Sequence, residues 1–385
     1  MVDWATPNSE AEIGEAVRDA ADAGTALRLS GGGTRAGIGQ AIDAPGRLSL
    51  AGHAGIDLYE PGSLTVVAKS GTPLKTVTDA LDAEGQMLAF EPMDHRGLFG
   101  TNGEPTVGGM VAANVSGPRR VRAGACRDFL LGVRFVDGTG RILKNGGRVM
   151  KNVTGLDLSK LMCGAYGTLG VLTEVSLKVL PKPETAQTLA FEGLTPADAV
   201  DLFCSALRTP YEVSGAAYVG DTAYLRIEGF EIQVAHRAAR LSDLFKDRDI
   251  AVVDGTAHDR LWADIRDVRH FADPGKALWR LSVKPMDAAA IAGEVTDRLG
   301  GSVSFDWGGG LVWCAIEEGK RDQADIVRAA VAGHGGHATL IRGSEERRMS
   351  EAVFQPQAEA VVTLSGNLKA TFDPHGVLNP GLMGY

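Results

Sequence analysis

The sequence predicts an α+β protein built in two lobes, and three observations carry that prediction. Helix, strand and glycine turn follow one another twice within the first 90 residues. A strand hairpin and a long alternating strand then close this half before Pro181 and Pro183. Residues 184–355 carry helices and strands of their own and no recognisable motif. The expected boundaries are 1–183 for the first lobe, 184–365 for the second, and 366–385 for a tail rich in glycine and proline.

Ser9-x-x-Glu12 reads as a capping box, followed by Ile13, Ala16, Val17 and Ala20 at helical spacing, and Gly24 stops the helix. Residues 26–29 read as a strand running into Gly31-Gly32-Gly33-Thr34-Arg35-Ala36-Gly37. Strands are expected near 47–50 and 64–69. Thr72 is expected to cap a helix with Pro73 in its first turn and Leu74, Val77 and Leu81 on one face. Gly85 ends it, and 87–90 reads as a strand. Residues 129–136 and 141–144 form a hairpin turning at Asp137-Gly138. A short helix is expected over 157–162, a strand over 171–180, and second-lobe helices over 197–207 and 232–245.

Composition excludes several classes. The chain has 385 residues, 44% of them hydrophobic, enough for a sizeable core over two domains. A formal net charge of -9 argues against a non-specific hold on nucleic acid. No apolar run approaches the roughly 18 residues of a membrane span, and residues 1–10 lack the basic and apolar regions of a secretion signal. A cytoplasmic location is expected. Cys126, Cys163, Cys204 and Cys314 form no C-x-x-C pair, so neither an iron–sulfur cluster nor a structural zinc site is expected.

The 50 glycines cluster between apolar segments, where glycine serves sharp turns and close backbone approach. In Ser30-Gly31-Gly32-Gly33-Thr34-Arg35, alternating backbone conformations would let several N–H groups converge on an anion. Thr34 adds a hydroxyl and Arg35 a charge. A nicotinamide-type Gly31-x-Gly33-x-x-Ala36 fingerprint demands a helix directly after the loop. Gly37, Gly39 and Pro45 follow instead, which rejects it. Taken alone, the loop fits a phosphate cradle or a surface turn equally. Thr106 to Gly117 is nearly all small residues, suited either to lying against a flat ring or to tight helix packing. Gly164 to Thr173 is a third glycine-bearing loop entering a strand.

Together these clusters resemble a known family. "LRLSGGGTRAG", "TVGGMVAANVSGPRR", "VMKNVTGLDLSKLMCGAYGTLGVLTEVSLKVLPKPE" and "NLKATFDPHGVLNPG" are similar to the PCMH-type FAD-binding domain of the vanillyl-alcohol-oxidase superfamily. Within it they resemble the FAD-binding subunits of bacterial glycolate oxidases. The likeness is dense over 1–183, thin over 184–365, and clear again in the tail. It implies a two-subdomain PCMH-type domain clasping FAD under an α+β cap. It also implies that Ser30 and Gly31, Gly32, Gly33, Thr34 and Arg35 hold the pyrophosphate. Val107, Gly108, Gly109, Ala113, Asn114 and Ser116 would line the flavin and ribityl region. Gly170, Val171 and Leu172 would follow the adenosine half, and Asn379 would return towards the isoalloxazine. The first glycine loop lacks the histidine that commonly tethers flavin in this superfamily, so non-covalent FAD is expected. Leu156 stands where the family usually has Tyr, and only a local packing change is expected.

The resemblance implies oxidation of glycolate to glyoxylate within a complex, with electrons leaving through flavin to an external acceptor. Oxidising a 2-hydroxy acid requires a cation for the carboxylate, a base for the hydroxyl proton and flavin to take the hydride. The histidine-rich metal motif of related hydroxy-acid dehydrogenases is absent. His334-Gly-Gly-His337 is the one close pair among eight histidines, and no metal is expected there. Arg119, Arg120 and His270 are the catalytic candidates, with Arg266 and Arg269 beside the last. The alternative for these residues is a solvated polar face or a subunit contact. The missing pieces point to partners, namely a larger flavoprotein subunit, an iron–sulfur subunit, and through them a peripheral place at the inner membrane. Two other readings stand: a self-sufficient 2-hydroxy-acid dehydrogenase, and a scaffold whose FAD is structural.

Overall fold

A computed structural model describes residues 5–148 and 155–384. Met1 to Trp4, part of the N-terminal stretch expected to lack a secretion signal, Val149 to Thr154 of the third motif, and Tyr385 lie outside the described residues.

The first helix spans Glu10–Ala23 and ends at Gly24, whose left-handed φ of 61° a side chain would strain. Ser9 Oγ accepts from Glu12 N–H at 3.3 Å. The return arm of the expected box reaches one residue further, because the Glu12 carboxylate accepts from Asn8 N–H at 2.8 Å. Strand Leu27–Ser30 pairs in parallel with Gly46–Ser49, and Leu378 of the tail bridges to Leu27 on its other edge. Ile13, Val17, Leu27, Leu48 and Leu378 bury a small core of their own.

Beside it stands an antiparallel sheet of five strands in the spatial order Ile56–Glu60, Thr65–Lys69, Val171–Lys178, Leu130–Val136, Ile142–Gly146. The outermost, Ile56–Glu60, has no fully buried residue, and its alternation of Ile56, Asp57 and Leu58 breaks at Tyr59, which is why its sequence gives little strand signal. Thr72 does not cap helix Leu74–Ala83. Its hydroxyl donates to Lys69 O at 2.7 Å, leaving Pro73 at the boundary. The expected strand at 87–90 is cut to Gln86–Met87, because Leu88, Ala89 and Phe90 turn into the core. The hairpin also turns differently. Asp137 Oδ1 accepts from Thr139 N–H and Arg141 N–H at 2.9 and 3.1 Å, and Gly140 at φ 76° supplies the left-handed residue. Leu156 is 79% exposed, so the departure there changes no packing.

The second lobe is an eight-stranded antiparallel sheet. Its order is Ala251–Val253, Thr185–Phe191, Thr222–Gly229, Gly215–Val219, Ser302–Asp306, Leu311–Glu317, Lys276–Ser282, His337–Arg342. Helices Pro196–Leu207, Glu231–Leu244, Ala288–Leu299 and Gln323–Ala332 pack on one face over Trp279, Phe305 and Leu340. The other face contributes Leu278, Leu311, Trp313 and Ile341 to the same core as Phe90, Met110 and Val111 of the first lobe. The lobes therefore share buried apolar surface. Helix Glu359–Phe372 runs through the boundary expected at 365. No helix among the described residues is long and apolar enough to cross a membrane.

A cluster of charges pins this contact. Arg226 of the cap sheet, 1% exposed, donates through both terminal nitrogens to Glu91 of the first lobe at 2.9 and 2.8 Å. Arg119 donates to Glu228 at 3.0 and 2.7 Å and lies 3.3 Å from Glu91. Burial opposes ionisation of both carboxyls, but the two guanidinium groups overrule it. They hold Glu91 below its ordinary range and bring Glu228 down to about 2. Removing one member of such a cluster strands the opposite charge, at a cost of about 3–5 kcal/mol. Arg226→Met should lower the unfolding free energy by about that much in urea titrations. A change of less than about 1 kcal/mol would mean that the cluster does not hold the lobes together.

Candidate functional site

Three adjoining cavities form one cleft through the first lobe and under the cap. The largest, about 330 Å³, is bounded by Ser30 to Ala36, Thr106, Gly109, Ala113 and Asn379. An inner extension of about 100 Å³ runs past Ser70, Gly108, Gly170, Val171 and Leu172. The opposite end, about 50 Å³, lies between Ala113 to Gly117 and the cap residues Arg266, Arg280, Asp306, Leu311 and Trp313. Tyr166 borders all three.

The glycine loop is shaped by contact more than by unusual dihedral angles. Of Gly31, Gly32 and Gly33, only Gly33 takes a positive φ, at 73°. The expected alternation of conformations along the loop is thus confined to one residue. Gly32 is glycine because a Cβ would fall 1.7 Å from Glu104 O, and at Gly31 it would fall 2.1 Å from Thr106 Oγ1. Thr106 in turn caps helix Val107–Ala112 by accepting from Gly109 N–H at 3.3 Å. The loop and the start of this helix are therefore locked against each other.

Asn379 fixes the loop from below. Its Oδ1 accepts from Leu29 N–H and its Nδ2 donates to Tyr166 O, both at 2.9 Å. It thus joins the strand before the first glycine cluster to the turn of the third. It borders the middle and inner parts of the cleft.

Arg35 is partly buried, and burial brings its guanidinium down to about 10. Its Nε donates to His95 Nδ1 at 3.2 Å. Met93 O lies 3.2 Å from the same nitrogen, so the two contacts call for opposite tautomers of the ring. Burial, reinforced by the Arg35 charge, holds His95 far below its usual range and keeps it neutral. Ser70 Oγ is buried against the inner cavity with no hydrogen-bond partner. A buried hydroxyl of this kind awaits a polar group from whatever fills the space.

The structure brings Ser30 to Arg35, Gly108, Gly109, Ala113, Asn114, Ser116, Gly170, Val171, Leu172 and Asn379 to the cleft walls. Val107 is fully buried at the helix start and does not line it. The three catalytic candidates stand elsewhere. Arg119 is consumed by Glu91 and Glu228. Arg120 lies over the Trp307 ring, 4.3 Å from its centroid. His270 is exposed on the cap and bonds Ser304 Oγ at 2.9 Å. Residues that sequence reading passed over are Ser70, His95, Tyr166, Arg280 and Asp306. No sequence signal marks Arg280 or Asp306, because each joins the cleft only through strand pairing. Among the described residues no three His, Cys, Asp or Glu side chains gather as a metal site, and His334 pairs with Asp287 at 3.3 Å.

Residues 4–146 match the FAD binding domain family. The chain is 37% identical to the glycolate oxidase subunit GlcE of Escherichia coli over 96% of its length and 95% of that protein's. It belongs to the GlcE family. FAD is accordingly its cofactor. Similarity extends more weakly to a D-lactate dehydrogenase of Archaeoglobus fulgidus, 29% identical over 97% of this chain and 89% of that protein. The fold matches p-cresol methylhydroxylase with a TM-score of 0.72 at 16% identity, covering 98% of this chain and 88% of the other. A 4-ethylphenol oxidase from Gulosibacter chungangensis matches with the same score at 15% identity and the same coverage.

The cleft fits the cofactor in shape and polarity: a side-chain-free cradle in the middle, an orphaned hydroxyl inside, and a cap-covered end. Gly32→Ala should yield protein that is folded by circular dichroism but carries under a tenth of the wild-type flavin, since the new methyl overlaps Glu104 O. Full occupancy would show the loop to be uninvolved. Ser70→Ala breaks no hydrogen bond in the protein, so apoprotein stability should hold. The affinity for FAD should fall about fivefold, the worth of one hydrogen bond. Equal affinity in titrations of the apoprotein would show that Ser70 does not meet the cofactor.

Proposed function

We propose that the chain is the FAD-binding subunit of a complex that oxidises glycolate to glyoxylate. The electrons pass through flavin to an external acceptor. The similarity to GlcE across nearly the full length of both chains carries this reading. In it, the backbone from Gly31 to Arg35 takes the pyrophosphate, Gly170 to Leu172 the adenosine half, and Ala113, Asn114 and Ser116 the flavin. Gly108 and Gly109 keep the wall between them free of side chains. The cofactor is held non-covalently, and supplies a two-electron acceptor when bound. Neutral His95 and the Arg35 guanidinium stand together at the edge of the cleft. Leu311, Trp313 and Ile341 keep bulk water from the cap end. A larger flavoprotein subunit and an iron–sulfur subunit are the proposed partners, because this chain has no cysteine cluster to carry electrons onward. They would account for a peripheral association with the inner membrane.

A self-sufficient 2-hydroxy-acid dehydrogenase is the second reading, favoured by Arg280 and Asp306 at the cap end. Anaerobic addition of glycolate to the assembled complex should bleach the flavin absorbance. Unchanged absorbance would overturn the proposed function. Acid precipitation should release all the yellow colour into the supernatant, and colour retained in the pellet would mean covalent attachment.

A further inference from the structure

The cap end of the cleft holds a guanidinium and a carboxyl with few protein partners. Arg280 lies in the strand Lys276–Ser282, and Asp306 ends the strand Ser302–Asp306. The strand Leu311–Glu317 runs between them. Arg280 pairs with Trp313, which pairs with Ser304, and two residues on, Asp306 pairs with Leu311. Alternation along strands therefore puts Arg280, Trp313, Leu311 and Asp306 on one face, the face that meets the first lobe. Adjacent strands lie about 4.8 Å apart and each residue advances about 3.3 Å along a strand, so the two residues start about 12 Å from each other at the backbone.

Their partners are few. Arg280 makes no ion pair with any described carboxylate. It lies 5.3 Å from the centroid of Trp307, and burial lowers its pKa. The other cap guanidinium at this end, Arg266, is already engaged by Asp267 at 2.7 and 2.9 Å. Asp306 is 5% exposed and accepts one hydrogen bond, from Trp307 N–H at 2.6 Å. A guanidinium withdrawn from water without an anion is costly, and so is a buried carboxyl with one donor. A ligand carrying a carboxylate beside a hydroxyl satisfies both.

We infer that Arg280 and Asp306 form a subsite for a small 2-hydroxy acid on this chain, with Arg280 taking the carboxylate and Asp306 the hydroxyl proton. This rests on the flavin reading above and gives the chain its own substrate end. Flavin, when bound, would supply the two-electron acceptor for the hydride that leaves as the carbinol C–H bond breaks. The O–H bond breaks with its proton passing to the Asp306 carboxylate, and the C=O bond forms. The acid is oxidised by two electrons to the 2-oxo acid as the flavin is reduced. Bordered by Trp313, Leu311 and Ile341, the subsite admits a compact acid and excludes a bulky one.

The protonation state follows the surroundings. Asp306 shares its cavity with Arg266, Arg280, His95 and Tyr166, and feels Glu91 and Arg226 behind it. Burial dominates and pushes its carboxyl up to about 8. The group accepts a proton only when ionised, so flavin reduction should accelerate as pH rises towards 8 and level off above it.

The test uses the FAD-loaded chain and oxalate, an inert dicarboxylate, as the binding probe. Calorimetric titration of Arg280→Met should show oxalate binding weakened roughly 10- to 100-fold, the worth of a charge-assisted pair. Flavin content should stay at the wild-type level. Asp306→Asn should keep oxalate binding within about threefold. It should also slow anaerobic reduction by glycolate at least 100-fold and abolish the pH dependence near 8. An unchanged oxalate Kd in Arg280→Met overturns the subsite, including the case in which only the flavin potential moves and Arg280 merely balances the cofactor's charge. Absence of oxalate binding to the wild-type chain overturns it too. The proposed function is judged separately, by bleaching of the assembled complex.

Discussion

The geometry of the cleft depends on Glu91. Its backbone sits at φ 49°, a region that a side chain other than glycine occupies at a cost of about 1–3 kcal/mol. The ion pair with Arg226 and the hydrogen bond from Arg119 N–H at 2.6 Å hold it there. That arrangement does two things at once. It anchors the cap sheet to the first lobe, and it sets the turn at Gly117, whose N–H donates to Phe90 O at 2.8 Å and whose carbonyl accepts from Trp307 Nε1 at 3.0 Å. The wall Ala113 to Gly117 and the cap face carrying Arg280 and Asp306 are thus positioned by one buried carboxylate.

Most of the cleft is backbone. Gly31 and Gly32 press against the chain from Glu104 to Thr106, and Gly108 presses against Ser70. Contacts this close forbid side chains, and the backbone they bare suits a pyrophosphate, whose charge is better met by many weak donors than by a few mobile cations. Asn379 makes the arrangement rigid by spending its side chain on Leu29 and Tyr166. Its place in the closing motif is therefore explained by support of the cradle from beneath. Arg35 adds a charge to the middle of the cleft and Ser70 a hydroxyl to its inner end.

The catalytic candidates show how far charge alone misleads. Arg119 and Arg120 follow directly after the small-residue segment, so proximity in sequence pointed to them. Proximity in space gives Arg119 to two carboxylates and sets Arg120 over an indole ring. Arg280 sits in an ordinary-looking strand, 26 residues before Asp306 in the sequence. Nothing local distinguishes either residue. Sheet register, by placing both on the inner face with Trp313 between, makes them neighbours of the flavin wall.

By itself the sequence determined the first helix with its cap and its stop at Gly24, most strands of the first lobe, and the identity of the cofactor. These features depend on interactions within a few residues or on glycine motifs whose function is local. Gly31, Gly108 and Gly170 pointed to the cofactor only as a set, through the motifs they belong to. Tertiary structure decided what depends on contacts between distant segments. The weakly patterned strand Ile56–Glu60 exists because Thr65–Lys69 pairs with it. The first glycine loop is tight because Glu104 and Thr106 lie across it. The cap end acquired a cation and a carboxyl because eight strands from the second lobe were laid, by burial of one apolar face, against the first.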